Sequence, residues 1–140
     1  QKTKKIKAFV HYVFENHQGY INNLLTQDKD SLRTELLSIY GIGEETADDI
    51  ILYAAQKPVF VIDNYTKRIS KRFGISIENE SYQNYQKFFM DNLNEDVLMF
   101  NEYHALLDEH ASKICTKSDP LCEKCCLNDI CLFGIEHMVT

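Results

Sequence analysis

Residues 36–68, LLSIYGIGEETADDIILYAAQKPVFVIDNYTKR, decide the fold. Leu32, Leu36, Leu37 and Ile39 recur at helical spacing, which predicts a helix capped by Asp30 or Ser31 and ending at Tyr40. Gly41-Ile42-Gly43 then forms a tight turn, and a further helix is expected over about 44–56, stopped by Pro58, whose missing N–H cannot extend it. Val59-Phe60-Val61-Ile62 reads as a short apolar connector that resembles a buried strand, and Asp63 closes it ahead of a helix over 64–73. Working outward, Ile6, Phe9, Val10, Val13 and Phe14 form the apolar stripe of a first helix, read as core, with Gly19 just past its end. More helices are expected over 81–93 and 95–114. The single strand-like run has no partner, so the fold class is all-α.

Four cysteines, Cys115, Cys122, Cys125 and Cys131, follow in the order C-x6-C-x2-C-x5-C. Four soft anionic donors in so short a span can wrap an iron–sulfur cluster or a tetrahedral zinc ion, and the spacing alone leaves both open. Cys126 falls outside the pattern as a spare thiol, and an odd number of cysteines fits disulfide pairing poorly. With 140 residues, 44% of them hydrophobic, the chain can bury the core of one compact domain or of two small lobes. Neither a long apolar run nor a basic start followed by an apolar stretch is present, so no membrane span or signal peptide is read. The expected setting is intracellular, cytoplasm or nucleoid, where thiols stay reduced.

The net charge of −6 argues mildly against nucleic-acid binding, but the basic residues are clustered. Lys2, Lys4, Lys5 and Lys7 open the chain, and Lys67, Arg68, Lys71 and Arg72 share one short segment. Each cluster reads either as a solvated helix face or as a phosphate contact. The chain starts at Gln1 and enters a helical pattern at once, as if its beginning lay upstream. An apolar stripe such as Ile6, Phe9 and Val13 is then expected to be exposed or covered by another chain.

Two glycines flanking an apolar residue between helices let a backbone approach a phosphate closely, with free amides at the start of the next helix and Thr46 in its first turn. The same turn also serves as a purely steric corner. Asp63 is similarly double: it can cap the helix over 64–73, or act as a partly desolvated carboxylate beside a bound polyanion, and a capping carboxylate is rigid enough for both. His104 and His110 lie on different faces of one helix and do not read as a metal pair; His110 is placed near the cysteine loop, while His11, His17 and His137 read as surface residues.

Together, residues 36–68 and the cysteine spacing resemble the helix-hairpin-helix and [4Fe-4S] loop of the endonuclease III superfamily of DNA glycosylases. His110-Ala111-Ser112-Lys113-Ile114-Cys115 and Asp119-Pro120-Leu121-Cys122 are similar to that family's lead into its cluster, and residues 1–7 to its Tyr-x-x-Lys-Ala helix. The hairpin, with Thr46, Ala47, Asp48, Asp63 and Tyr65, most resembles the type III 3-methyladenine DNA glycosylases, whose best-known members lack the cysteine loop. The match implies a carboxyl-terminal portion of the family fold: residues 1–75 as its helix-hairpin-helix half, and residues 76–140 as the final helices with the cluster loop over 115–131.

Carried over by residue, the resemblance implies Gly41, Ile42, Gly43 and Thr46 at the DNA backbone, Asp63 as the catalytic carboxylate and Cys115, Cys122, Cys125 and Cys131 as ligands of a [4Fe-4S] cluster. The cluster would order a loop that turns Lys113, Lys117 and Lys124 toward phosphate. Tyr65 and Tyr53, with Phe60, are candidates for a base pocket. Strand-cutting members carry a lysine two residues beyond the second hairpin glycine; Glu45 stands there, and a carboxylate cannot form a Schiff base. The implied function is therefore a DNA glycosylase that removes a damaged base, an alkylated purine, from double-stranded DNA without cutting the strand, monomeric when complete. The alternatives are a bifunctional glycosylase/lyase acting on oxidised pyrimidines, and a non-catalytic iron–sulfur DNA-binding module.

Overall fold

The computed structural model describes residues 1–138, so Val139 and Thr140 of the 76–140 segment lie outside the described residues. Its helices are α1 (Lys2–His17), α2 (Ile21–Leu25), α3 (Lys29–Ser38), α4 (Glu44–Asp49), α5 (Asn64–Phe73), α6 (Tyr82–Asn92), α7 (Val97–Lys113) and α8 (Leu132–Met138). A π-helical turn, Ile50–Ala54, continues α4, and 3-10 turns occupy Glu78–Glu80 and Cys122–Lys124. No strand occurs among the described residues, as the all-α reading expects. No helix is long and apolar enough to cross a membrane.

Several boundaries differ from the sequence expectation for identifiable reasons. Asp28, not Asp30 or Ser31, caps α3: its carboxylate accepts the Ser31 N–H at 3.0 Å, an N-cap to N3 bond. The helix expected over 44–56 changes hand-hold at Ile50, where Ala55 donates to the Ile50 carbonyl five residues back, the wider π pattern. Helices α2 and α8 are too short for a periodic pattern to reveal them.

The chain divides into two units, residues 1–61 with 95–97, and residues 62–94 with the chain from Leu98 onward. In the first, Leu32 and Leu36 of α3, Ala47 of α4 and Ile51 of the π turn are completely buried with Leu24 and Leu52. Val59, Phe60 and Val61 are buried in succession, so the connector is enclosed on every side instead of alternating like a half-buried strand. Lys29 fixes its start by donating to the Pro58 carbonyl at 3.2 Å.

Of the first apolar stripe only Val13 is buried; Phe9 is half-buried, whereas Ile6, Val10 and Phe14 are exposed, which corrects their reading as core. The apolar arc of α1 is wider than the face this unit covers. His17 departs from its surface reading too, because its Nε2 meets a Glu35 carboxylate oxygen whose partner oxygen accepts from Gln27. Those hydrogen bonds outweigh burial and hold the Glu35 carboxyl below its ordinary range.

The second unit is built around Ile69 of α5, Tyr85 and Phe89 of α6 and Phe100 and Ala111 of α7. Ser81 caps α6 by accepting the Asn84 N–H. Gly74 ends α5 in the left-handed region at φ 101°, and the Leu132 side chain of α8 fills the space a Cβ would need.

One buried ion pair fixes the first unit. Arg33 of α3 grips both carboxylate oxygens of Asp48, at 2.7 and 3.1 Å, and the Asp48 side chain is wholly shielded from solvent. A fully buried carboxylate needs such a fork, because removing the cation leaves an uncompensated charge in a poorly polarisable interior. Arg33→Ala is therefore expected to cost about 3 kcal/mol or more of unfolding stability. In urea titrations this would appear as a lower midpoint with little change in slope.

Candidate functional site

The hairpin follows directly from the end of α3. Ile39 turns to extended backbone and buries its side chain, Tyr40 is left exposed, and the Ile42 N–H closes the turn on the Ile39 carbonyl at 3.1 Å. Gly41 is required twice over. Its φ of 87° disfavours any side chain, and a Cβ there would stand 2.4 Å from Cγ of Lys5, whose stem lies across the turn.

Gly43 differs. Its φ of −100° suits any residue, and an added Cβ would meet nothing within 4 Å. Nothing inside the chain demands glycine at this exposed position, so the open space is available to a body approaching from outside. Glu45 and Thr46 are exposed beside it, while Glu44 lies 3.6 Å from Arg33. The Arg33–Asp48 fork ties α3 to α4 on the two sides of the turn.

In the second unit, Asp63 caps α5, with Oδ1 accepting the Thr66 N–H at 2.6 Å. Its Oδ2 lies 3.9 Å from Nε2 of His104 on α7, and both side chains are about 15% exposed. The carboxylate is thus fixed at one oxygen and faces an imidazole at the other. No local signal links two residues so far apart in the chain, and sequence reasoning missed this neighbour. Tyr65, the second residue of α5, carries the Arg68 guanidinium 4.9 Å above its ring. Tyr53 is exposed in the first unit, and Phe60 is wholly buried in that unit's core.

The basic run of α5 is neither a plain solvated face nor a free cationic patch. Arg68 donates to the carbonyls of Ala111 and Cys115, and Arg72 to those of Cys115, Thr116 and Lys117, so two arginines tie the cysteine loop to the helix that Asp63 caps. Lys71 pairs with Glu80 at 2.8 Å, and Lys67 lies over the Tyr85 ring.

Cys115, Cys122, Cys125 and Cys131 all line one cavity together with Arg72 and His110. Arg72 Nη1 stands 3.2 Å from the Cys115 sulfur, the Leu127 N–H donates to Cys125 at 3.4 Å, and His110 Nε2 is 3.6 Å from the same sulfur. Burial pushes the Cys122 and Cys125 thiols up, and the neighbouring sulfurs of Cys115 and Cys131 push the same way. Both effects disfavour the thiolate form at Cys122 and Cys125, and the positive charge of a bound metal centre would offset them. Burial lowers His110 and keeps its imidazole neutral near pH 7.

Among the described residues, no three His, Cys, Asp or Glu side chains stand close enough to hold one metal ion. Four cysteines lining one cavity supply the donor types of a zinc site and of an iron–sulfur centre alike. Around the loop, Lys113 pairs with Glu109 at 2.6 Å, Lys117 and Lys124 are exposed, and Cys126 is exposed as well.

No family model matches the chain. It is 42% identical over 133 residues to a protein of Methanocaldococcus jannaschii named as a DNA repair glycosylase, covering 94% of this chain and 60% of that protein. It is 30% identical over 111 residues to endonuclease III of Sulfolobus acidocaldarius, covering 79% of this chain and 49% of that one. The chain thus spans about half to three fifths of the length of these relatives. Among solved structures, a non-covalent endonuclease III–DNA complex superimposes with a TM-score of 0.82 at 22% identity, over 99% of this chain and 60% of that one. The Helicobacter pylori 3-methyladenine DNA glycosylase bound to 1,N6-ethenoadenine superimposes at 0.68 with 27% identity, over 81% of this chain and 56% of that one.

The cap at Asp63 separates structure from chemistry. Asp63→Asn preserves an acceptor for the Thr66 N–H and is expected to leave thermal stability nearly unchanged, whereas Asp63→Ala should lose about 1 kcal/mol. Comparison of the two melting curves checks this.

Proposed function

Since the chain belongs to the endonuclease III superfamily, we propose that its protein is a base-excision DNA glycosylase that hydrolyses the N-glycosidic bond of an alkylated purine and leaves the strand uncut. One observation carries the reading: α5 bears a rigidly capped carboxylate at its start and, through Arg68 and Arg72, anchors a loop of four convergent cysteines. A helix so anchored presents Asp63 as a preorganised anion.

The work proposed for that anion is electrostatic. When a damaged base is flipped from the stack and its bond to the sugar breaks, positive charge develops on the deoxyribose. Asp63 stabilises that charge and orients the attacking water, while the Thr66 N–H keeps the carboxylate from turning away. An alkylated purine is already cationic and leaves readily, so little help from a general acid is needed. The hairpin most like those of type III 3-methyladenine glycosylases, and the neighbour bound to 1,N6-ethenoadenine, support this substrate class. Glu45 at the position of the lyase lysine supports simple hydrolysis.

Gly41, Ile42, Gly43 and Thr46 are proposed to hold the DNA backbone, with Lys113, Lys117 and Lys124 adding phosphate contacts and Tyr65 and Tyr53 facing the base. Cys115, Cys122, Cys125 and Cys131 would hold a [4Fe-4S] cluster; when bound, it supplies charge and covalent anchorage to the loop, not electrons to the reaction. The complete protein is proposed to act as an intracellular monomer on double-stranded DNA.

A panel of duplexes with single damaged bases, incubated with the complete protein and split into samples with and without alkali, tests this. Strand breaks at alkylated purines only after alkali are the expected outcome, with Asp63→Asn slowing release by about two to three powers of ten. Breaks without alkali, or release confined to oxidised pyrimidines, would overturn it. Reconstitution with iron and sulfide should give the broad visible absorption of an iron–sulfur centre, and Cys122→Ser should lose it.

A further inference from the structure

The clustered cations of α5 are engaged within their own unit, and in the first unit Lys29 and Arg33 are engaged as well. The lysines that open α1 are different. Among the described residues, Lys2, Lys4, Lys5 and Lys7 make no ion pair, although they form the densest run of positive charge in the first unit.

Of these, only Lys5 is tied to the hairpin. A Cβ on Gly41 would stand 2.4 Å from its Cγ, 2.8 Å from its Cδ and 3.1 Å from its Cβ, so the whole stem lies over the turn. Nζ is two bonds beyond Cδ and is therefore held beside that turn, on an exposed residue. Helical spacing puts Lys5, Ala8 and Tyr12 on one face of α1, and Ala8 and Tyr12 border a groove with Ser38, Ile39 and Tyr40 that leads into the hairpin. Lys7 lies elsewhere, flanking the exposed groove of Ile6, Val10 and Phe14.

The turn itself is short of positive charge. Its backbone amides carry only partial charges, Arg33 already answers Glu44, and exposed Glu45 repels an anion. A stem lodged on Gly41 also loses much of its freedom before any ligand arrives, which lowers the ordering cost of a charged contact. We propose that Lys5 is the cationic member of the hairpin's grip and holds a phosphate of the DNA backbone beside Gly43. The proposal rests on the DNA-repair reading and adds a residue from outside the hairpin segment.

The test is fluorescence anisotropy of the complete protein with a labelled, undamaged duplex across a series of potassium chloride concentrations, which reads phosphate contacts independently of catalysis. Lys5→Met keeps the stem on Gly41 and removes the charge. It should weaken binding at low salt and make the slope of log K against log salt shallower by about one. Lys5→Arg should restore the slope, and Lys7→Met should leave it unchanged. Wild-type binding with the same affinity and slope in Lys5→Met would overturn the inference while leaving the DNA reading intact. A wild-type protein that binds no duplex at any salt would overturn the DNA reading and the inference with it.

Discussion

The geometry of the second unit depends on two guanidinium groups reaching from α5 to backbone carbonyls of the cysteine loop. Arg68 takes Ala111 and Cys115, and Arg72 takes Cys115, Thr116 and Lys117. These are charge-assisted bonds to groups at and just past the end of α7, where helical carbonyls lose their partners and favour a cation. A loop held this way at one end needs little core of its own. The same helix starts at Asp63, so one rigid rod fixes a carboxylate at one terminus and a nest of sulfur atoms near the other.

Much of this was legible in the sequence because it is local. An aspartate before a helix, a Gly-Ile-Gly turn and four closely spaced cysteines each carry their meaning within a few residues, and the helices over 64–73 and 81–93 lie where apolar periodicity put them. What escaped is non-local. The arginines of α5 looked like a charged helix face until their acceptors were visible, and His104 has no mark of its proximity to Asp63. The π turn also escaped, because i+5 bonding leaves the apolar pattern almost intact while shifting the backbone.

The exposed part of α1 shows the limit of hydrophobicity as a guide to burial. Ile6, Val10 and Phe14 follow helical spacing as faithfully as Val13, yet only Val13 finds a partner surface in this unit. Periodicity reports that a helix has an apolar face; the width of the surface opposite it decides how much of that face is covered.

Two glycines that look equivalent in the sequence carry opposite constraints. At position 43 the chain itself makes no demand, since its own atoms would accept a larger residue. At position 41 the demand is internal, because the seat is taken by the stem of Lys5. Positions 5 and 41 are thereby epistatic: the vacancy at one is defined by the length of the other, and a shorter residue at 5 removes part of the reason for the smallest residue at 41. Diverging descendants of this sequence should vary the two sites in concert, so an apparently neutral drift on the first helix carries a hidden consequence for the turn.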